Sequence, residues 1–302
     1  MRALVVLAAL VLTARPGTAQ ERTPLPDAPI VTREAWGGAP PVAPMVPQVP
    51  RALTVHHTGA PMNLARDPAE AVRGLYAFST RRDTLGDGRV KEPWADVPYH
   101  FYIAPDGTIL EARDVAFQGD TNTRYDLSGQ VLVVVEGNFE EEDPTEAQVA
   151  ALLALSEALA RRWGFGPTTV AGHRDRAPGQ TVCPGDALEA RFTDVRRAVA
   201  QGARQSLGGA WTADLRAAPE APADPQALVL AVDASGRVSG TMGGVEITGG
   251  RVDAAWDAVR FVFGVPVSGG TASVQGAVRG GRIDATTAHP DGTLSVWTAT
   301  RG

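Results

Sequence analysis

The run Val131-Leu132-Val133-Val134-Val135 constrains the fold more than any other segment of the chain. Five consecutive apolar, mostly β-branched residues suit a central strand covered on both faces, because no position has to meet water. A helix is expected to follow. Thr145-Glu146-Ala147-Gln148 fits a capping box, and Val149, Leu152, Leu153, Leu155 and Leu159 supply an apolar face up to Arg161 and Arg162. Gly164 and Gly166 end that helix. Leu53-Thr54-Val55 is a second β-prone run, with His56 and His57 at its end. His100 to Ala104 is a third, which Pro105-Asp106-Gly107 turns into Thr108-Ile109-Leu110 as its hairpin partner.

The 302 residues suggest two domains at about 150 residues each. Composition changes after Ala203. Leu215 to Gln226 is rich in Ala and Pro, and strand patterns follow at Leu228–Asp233, Arg237–Met242, Ala258–Phe263, Ser273–Val278, Arg282–Thr287 and Leu294–Thr300. Ala234-Ser235-Gly236, Gly280-Gly281 and Pro290-Asp291-Gly292 read as turns between them, and His289 as a turn residue. This spacing predicts an antiparallel meander or small barrel over 208–302, set apart from a first domain over 30–204. Patterns such as Ser273 to Val278 would make a half-buried sheet that either binds a glycan or another ligand or docks on the first domain.

Met1 to Ala19 reads as a signal peptide with Arg2, an apolar run from Ala3 to Leu12 and small residues at Gly17-Thr18-Ala19. The expected cut precedes Gln20, residues 20–29 form a linker, and the product is exported to the periplasm or outside the cell. The apolar run falls short of the roughly 20 residues of a membrane helix, and no later stretch is long enough. A formal charge of −6 with no stripe of Lys or Arg excludes nucleic acid as a partner.

Cys183 is the sole cysteine, so it forms no intrachain disulfide. It lies downstream of His173 in Ala-Gly-His-Arg-Asp-Arg-Ala-Pro-Gly-Gln-Thr-Val-Cys-Pro-Gly, which begins at Ala171. With His56 these residues look like a three-ligand zinc site. A thiolate and two imidazoles suit tetrahedral zinc, and three protein ligands leave the fourth position open for chemistry. Cys183 could instead be a nucleophile activated by His173. His57 and His100 are expected to pack or hydrogen-bond, since neighbouring side chains on a strand face opposite ways. Glu136 is expected to pair with an arginine rather than touch substrate. Arg174 and Asp175 fit either a surface ion pair or a role in orienting the ligand loop.

Several segments together resemble the zinc-dependent N-acetylmuramoyl-L-alanine amidases and the peptidoglycan recognition proteins, over about Val31 to Ala187. They are Thr32-Arg33-Glu34-Ala35-Trp36-Gly37, Val55-His56-His57-Thr58, Trp94 to Phe101, Gly137-Asn138-Phe139 and Gly172-His173-Arg174-Asp175. The resemblance implies an α/β fold, a mixed central sheet flanked by helices, with the all-β segment following it. It implies His56, His173 and Cys183 as Zn2+ ligands, Tyr99 beside the metal and Thr181 as a second, neutral helper. A sister branch carries glutamate where Val134 stands, which makes Tyr99 the expected helper here. Gln118 stands where relatives often have a substrate-contacting histidine, and Thr80 to Pro93 reads as an insertion. The implied reaction is hydrolysis, by a zinc-activated water, of the amide between N-acetylmuramic acid and L-alanine in peptidoglycan or muropeptides. The alternative is a non-catalytic recognition module that binds peptidoglycan; retention of Cys183 with Tyr99 argues for the enzyme.

Overall fold

The computed structural model describes residues 29–301 apart from 85, 87 and 217. The expected signal peptide, and all but the last residue of the expected linker, lie outside the described residues. In the first half the strands are β1 (Ile30–Val31), β2 (Ala52–His57), β3 (Asp83–Thr84), β4 (Val90–Lys91), β5 (Phe101–Ile103), β6 (Ile109–Glu111), β7 (Gln130–Val135) and β8 (Val170–Gly172). The helices are α1 (Pro68–Ser79), α2 (Glu146–Trp163), α3 (His173–Arg176), α4 (Asp186–Glu189) and α5 (Phe192–Gln205). Six strands form one mixed sheet in the order β1-β6-β5-β7-β2-β8, and β3 and β4 form a separate hairpin inside the expected insertion.

Every residue of β7 is buried, as its uninterrupted apolar run requires. Val131, Val133 and Val135 join Leu53 and Val55 of β2 against Leu152, Leu155 and Leu159 of α2 and Val195 and Val199 of α5. Val134 faces the other way, with Tyr102, Trp36 and the α1 residues Ala71 and Val72. Helix α2 begins as its sequence predicts: Thr145 accepts from Gln148 N, and the Gln148 side chain accepts from Thr145 N. It ends at Gly164, whose φ of 72° is the left-handed cap that glycine adopts without strain. Helices α1, α3, α4 and α5 are not among the elements expected from the sequence.

The buried bidentate pair Arg33–Asp96 explains why the first and third family-like segments go together. Both Arg33–Asp96 contacts are 2.9 Å, and the Trp36 indole donates to the Glu111 carbonyl at 2.6 Å. The N-terminal strap is thereby fastened to the segment that leads into Tyr99.

The second half comprises β9 (Gly209–Asp214), β10 (Pro225–Val232), β11 (Arg237–Met242), β12 (Val245–Glu246), β13 (Thr248–Asp253), β14 (Val259–Val267), β15 (Gly270–Arg279), β16 (Arg282–Ala288) and β17 (Leu294–Arg301). Their order is β10-β9-β17-β16-β15-β14-β13-β11-β12, and β10 also pairs with β11. That extra pairing closes an eight-stranded antiparallel barrel, with β12 appended to β11. Of the two expected forms, meander or barrel, the barrel is the one built. The six expected strands are present; β9, β12 and β13 add to them. One hydrophobic cluster continues from α2 through Trp163, Phe165 and Leu207 into Val278 and Trp211 of the barrel. Backbone bonds cross the same junction: Gly166 donates to Asp257 at 3.0 Å and Gly281 to Trp163 at 3.2 Å.

Two glycines separate packing from propensity. A Cβ at Gly202 of α5 would lie 2.0 Å from the Glu157 carbonyl oxygen of α2, whereas one at Gly74 of α1 would meet nothing within 4 Å. Gly202→Ala is expected to destabilise the protein by about 1–3 kcal/mol through overpacking. Gly74→Ala is expected to stabilise it by about 0.5–1 kcal/mol through helix propensity. Denaturant unfolding of the two variants checks both signs.

Candidate metal centre

The centre is assembled at the carboxyl ends of the parallel strands β2 and β8, flanked by β7. In register, Val55 of β2 lies opposite Gly172, the last residue of β8, so His173 emerges beside His56. The two imidazole centroids are 4.5 Å apart. Cys183 arrives from the loop after α3, with Sγ 3.7 Å from His56 Nδ1 and 3.3 Å from the His57 backbone N–H that donates to it. Ligand atoms of His56, His173 and Cys183 all lie within 4.8 Å of one another, and all three residues sit in a buried or half-buried setting.

Strand alternation sorts the neighbouring histidines. His56 pairs in register with Val134 and shares its face, while His57 turns to the α2 side, where its Nδ1 accepts from Phe139 N at 3.3 Å. His100 accepts from Leu132 N at 2.8 Å and holds the Phe117 carbonyl at 2.8 Å through its other nitrogen. Both therefore have the hydrogen-bonding roles expected of them. Val134 beside His56 is fully buried and carries no charge to the centre.

Motif glycines have steric reasons here. A Cβ on Gly172 would come within 2.7 Å of the Pro184 ring, and one on Gly185 within 2.5 Å of Phe139 backbone. The loop bearing Cys183 thus lies directly on the chain that delivers His173. Asp175 accepts from Gly172 N at 2.8 Å, and Arg174 N donates to the Cys183 carbonyl at 2.7 Å. The Arg174 guanidinium reaches Glu189, and Asp186 at 2.7 Å, tying α3 to α4. These residues orient the ligand loop rather than forming an isolated surface pair. Thr181 Oγ1 accepts from Cys183 N at 3.1 Å, so its hydroxyl braces the cysteine. Gln118 reaches Ser128 at 3.4 Å. Glu136 is bound by Arg66 and accepts from the Tyr102 hydroxyl at 2.6 Å, the arginine pairing anticipated for it.

Tyr99 packs against His56, ring centroids 5.0 Å apart. Two further residues were not singled out in the sequence. Thr123 places Oγ1 2.6 Å from His173 Nε2, and the Tyr125 ring lies tilted against the same imidazole, centroids 5.5 Å apart, with its buried hydroxyl unpartnered. Both lie on the 118–128 loop, whose approach to His173 has no signature in local sequence.

Burial sets the protonation states. Desolvation, then the nearby His173, His57 and His100, holds His56 well below the usual imidazole range. His173 is lowered to about 4, first by desolvation and then by His57. Desolvation also raises the Cys183 thiol to about 12 in the metal-free protein. Neutral imidazoles are what a metal needs; a thiol that stays protonated is a poor nucleophile, since the thiolate is the reactive form. His56 supports the same conclusion. It is buried, its Nε2 has no partner, and Nδ1 has only the long sulfur contact. A borderline-soft dication such as zinc fits this donor set, because ligation would satisfy a ring nitrogen that the protein leaves short.

Residues 46–186 match the family model described as N-acetylmuramoyl-L-alanine amidase (Amidase_2). It is 29% identical over 172 residues to peptidoglycan-recognition protein SD of Drosophila simulans, covering 54% of this chain and 84% of that protein. It is 30% identical over 158 residues to the human N-acetylmuramoyl-L-alanine amidase, covering 51% of this chain and 26% of that longer protein. The crystal structure of Drosophila peptidoglycan recognition protein SD aligns at 23% identity with a TM-score of 0.44, over 55% of this chain and 94% of that one. The matched region is thus similar both to proteins named as amidases and to proteins named for peptidoglycan recognition. No helix among the described residues is long and apolar enough to cross a membrane.

If these three residues are the ligands, Cys183→Ser and His56→Ala should each abolish stoichiometric zinc binding. Thr123→Val should weaken it by about 10–100-fold, the usual effect of removing a ligand's outer hydrogen-bond partner. Competition against a chromophoric chelator measures all three.

Proposed function

We propose that the protein is a zinc-dependent, exported N-acetylmuramoyl-L-alanine amidase that hydrolyses the amide joining the lactyl group of N-acetylmuramic acid to L-alanine of the stem peptide. The observation that carries this reading is the complete set His56, His173 and Cys183 gathered within 4.8 Å, with Tyr99 against it. His56, His173 and Cys183 would hold the ion. When bound, zinc supplies Lewis-acid polarisation of the carbonyl and a lowered pKa for water.

The chain's own residues do the rest. Burial, followed by the nearby Cys183 and Tyr125, raises the Tyr99 phenol well above its ordinary value, so it keeps its proton at neutral pH. A protonated phenol at the rim of the centre can donate to the carbonyl oxygen as negative charge develops there, and in a desolvated site that donation is worth more than in water. Neutral His56 and His173 keep their lone pairs for the metal. Thr181 holds Cys183 in place through its N–H. Arg174, Asp175 and the Gly172–Pro184 contact fix the loop, so little reorganisation is left for the reaction itself.

Recognition without cleavage is the second reading, favoured by the recognition proteins among the relatives. Product analysis separates the two. Purified peptidoglycan treated with the zinc-loaded protein should release stem peptides with a new L-alanine N-terminus, detected by mass spectrometry; binding with no new amine would support recognition alone. Tyr99→Phe should keep its zinc and lower kcat by about 10²–10³-fold, in line with loss of one oxyanion donor, with a smaller change in KM.

A further inference from the structure

The barrel is filled at one end and open at the other. Its inward positions are large where it docks on the first half: Trp211, Phe261, Val278 and Ile283 are all buried there. At the far end the inward residues shrink to Val265, Ala272, Val274 and Thr287, with Trp297 as the floor, and all five are buried. An eight-stranded barrel has an interior just wide enough to be filled by side chains or to hold one small ligand. Here the change in side-chain size along the strands leaves a cavity of about 550 Å³, within the roughly 300–1,000 Å³ of small-molecule sites.

The cavity lies where β9, β11, β14 and β16 end and where β10, β15 and β17 begin. The interface with the first half uses the opposite ends of those strands, at Asp257, Ala258 and Gly281 and at Arg301, which donates to the Ser206 carbonyl at 2.6 Å. Strands β14 and β15, of 9 and 10 residues, separate the two ends by about 30 Å at 3.3 Å per residue. The opening therefore faces away from the metal centre.

The lining decides the ligand class. The walls are aliphatic, and the one aromatic, Trp297, has its indole N–H bound to Thr287 Oγ1 at 2.9 Å. A glycan would need aromatic platforms and many unspent donors, which these walls do not offer. Apart from the Thr287 hydroxyl, already engaged by Trp297, the polar groups lie at the mouth: His289 with Ser295 at 2.8 Å, and the Gln226 amide donating to Asp224 at 2.8 Å. Val245 and Val267, 41% and 39% exposed, continue the apolar surface onto the rim. The Asp224 carboxylate disfavours an anionic head group at this mouth and accepts a neutral one that can hydrogen-bond.

We propose that the barrel binds a neutral amphiphile with a single aliphatic chain, its chain in the cavity above Trp297 and its hydroxyl or ester head beside Asp224, Gln226 and His289. The site is independent of the amide-hydrolysing reading. The test uses the full mature chain and the neutral fluorophore N-phenyl-1-naphthylamine. Saturable enhancement, displaced by 1-decanol and at least 10-fold less well by decanoate, is expected. Ala272→Phe and Val274→Phe, which fill the cavity, should weaken fluorophore binding at least 10-fold while keeping a cooperative unfolding transition. No saturable enhancement, displacement by chitobiose in place of decanol, or unchanged binding in folded cavity-filling variants would overturn the proposal. A brominated alcohol gives a readout that does not depend on those variants folding. 10-Bromodecanol should quench tryptophan emission, and Trp297→Phe should remove most of that quenching; equal quenching in both proteins would contradict the site.

Discussion

The parallel pairing of Val55 with Gly172 is the constraint on which the centre depends. It joins two strands far apart in sequence and fixes the point where β8 ends relative to β2. His173 then leaves its strand beside His56 rather than a turn above or below it. Adding one residue to β2 ahead of His56 would flip its alternation and send His56 to the side where His57 now packs on Phe139, and adding one to β8 would carry His173 out of register with it. The rest of the site elaborates this placement: Pro184 lies against Gly172, Cys183 is carried to the His56 ring, and Thr123 closes on His173 from the opposite loop.

Burial turns that geometry into chemistry. The same desolvation that keeps both imidazoles neutral keeps the Cys183 thiol protonated in the metal-free protein, and keeps the Tyr99 phenol a donor. These shifts act together. A site of neutral donors around an under-satisfied histidine suits a dication, and it disfavours a thiol nucleophile working alone. Glu136, the carboxylate nearest in sequence to β7, is spent on Arg66 and Tyr102, where it steadies the loop after β2.

Much of this was legible in the sequence because it rests on residue types with few uses. A lone cysteine, a histidine ten residues before it and a histidine closing a β-prone run leave little room for another reading. The β7 run and the Thr145 capping box likewise declare a central strand and its covering helix. Thr123 and Tyr125 were not legible, since only the tertiary path of their loop brings them to His173. Strand β13 escaped notice because Thr248-Gly249-Gly250-Arg251 lacks apolar alternation; Gly250 is there because a Cβ would lie 2.2 Å from the Val238 carbonyl oxygen. Strand β9 has only Trp211 and Ala213 pointing inward, too short a pattern to stand out. Barrel closure depends on the pairing of β10 with β11, and a list of strands cannot distinguish that from an open meander.

The most direct measurement is hydrolysis of purified peptidoglycan by the protein after treatment with a chelator and again after addition of zinc. The His56–His173–Cys183 centre predicts about one zinc per chain, loss of L-alanine amine release on removal and its recovery on restoration, with none recovered in Cys183→Ser. Amine release that persists in the metal-free protein, or a zinc-loaded protein that binds the wall and frees no amine, would contradict it.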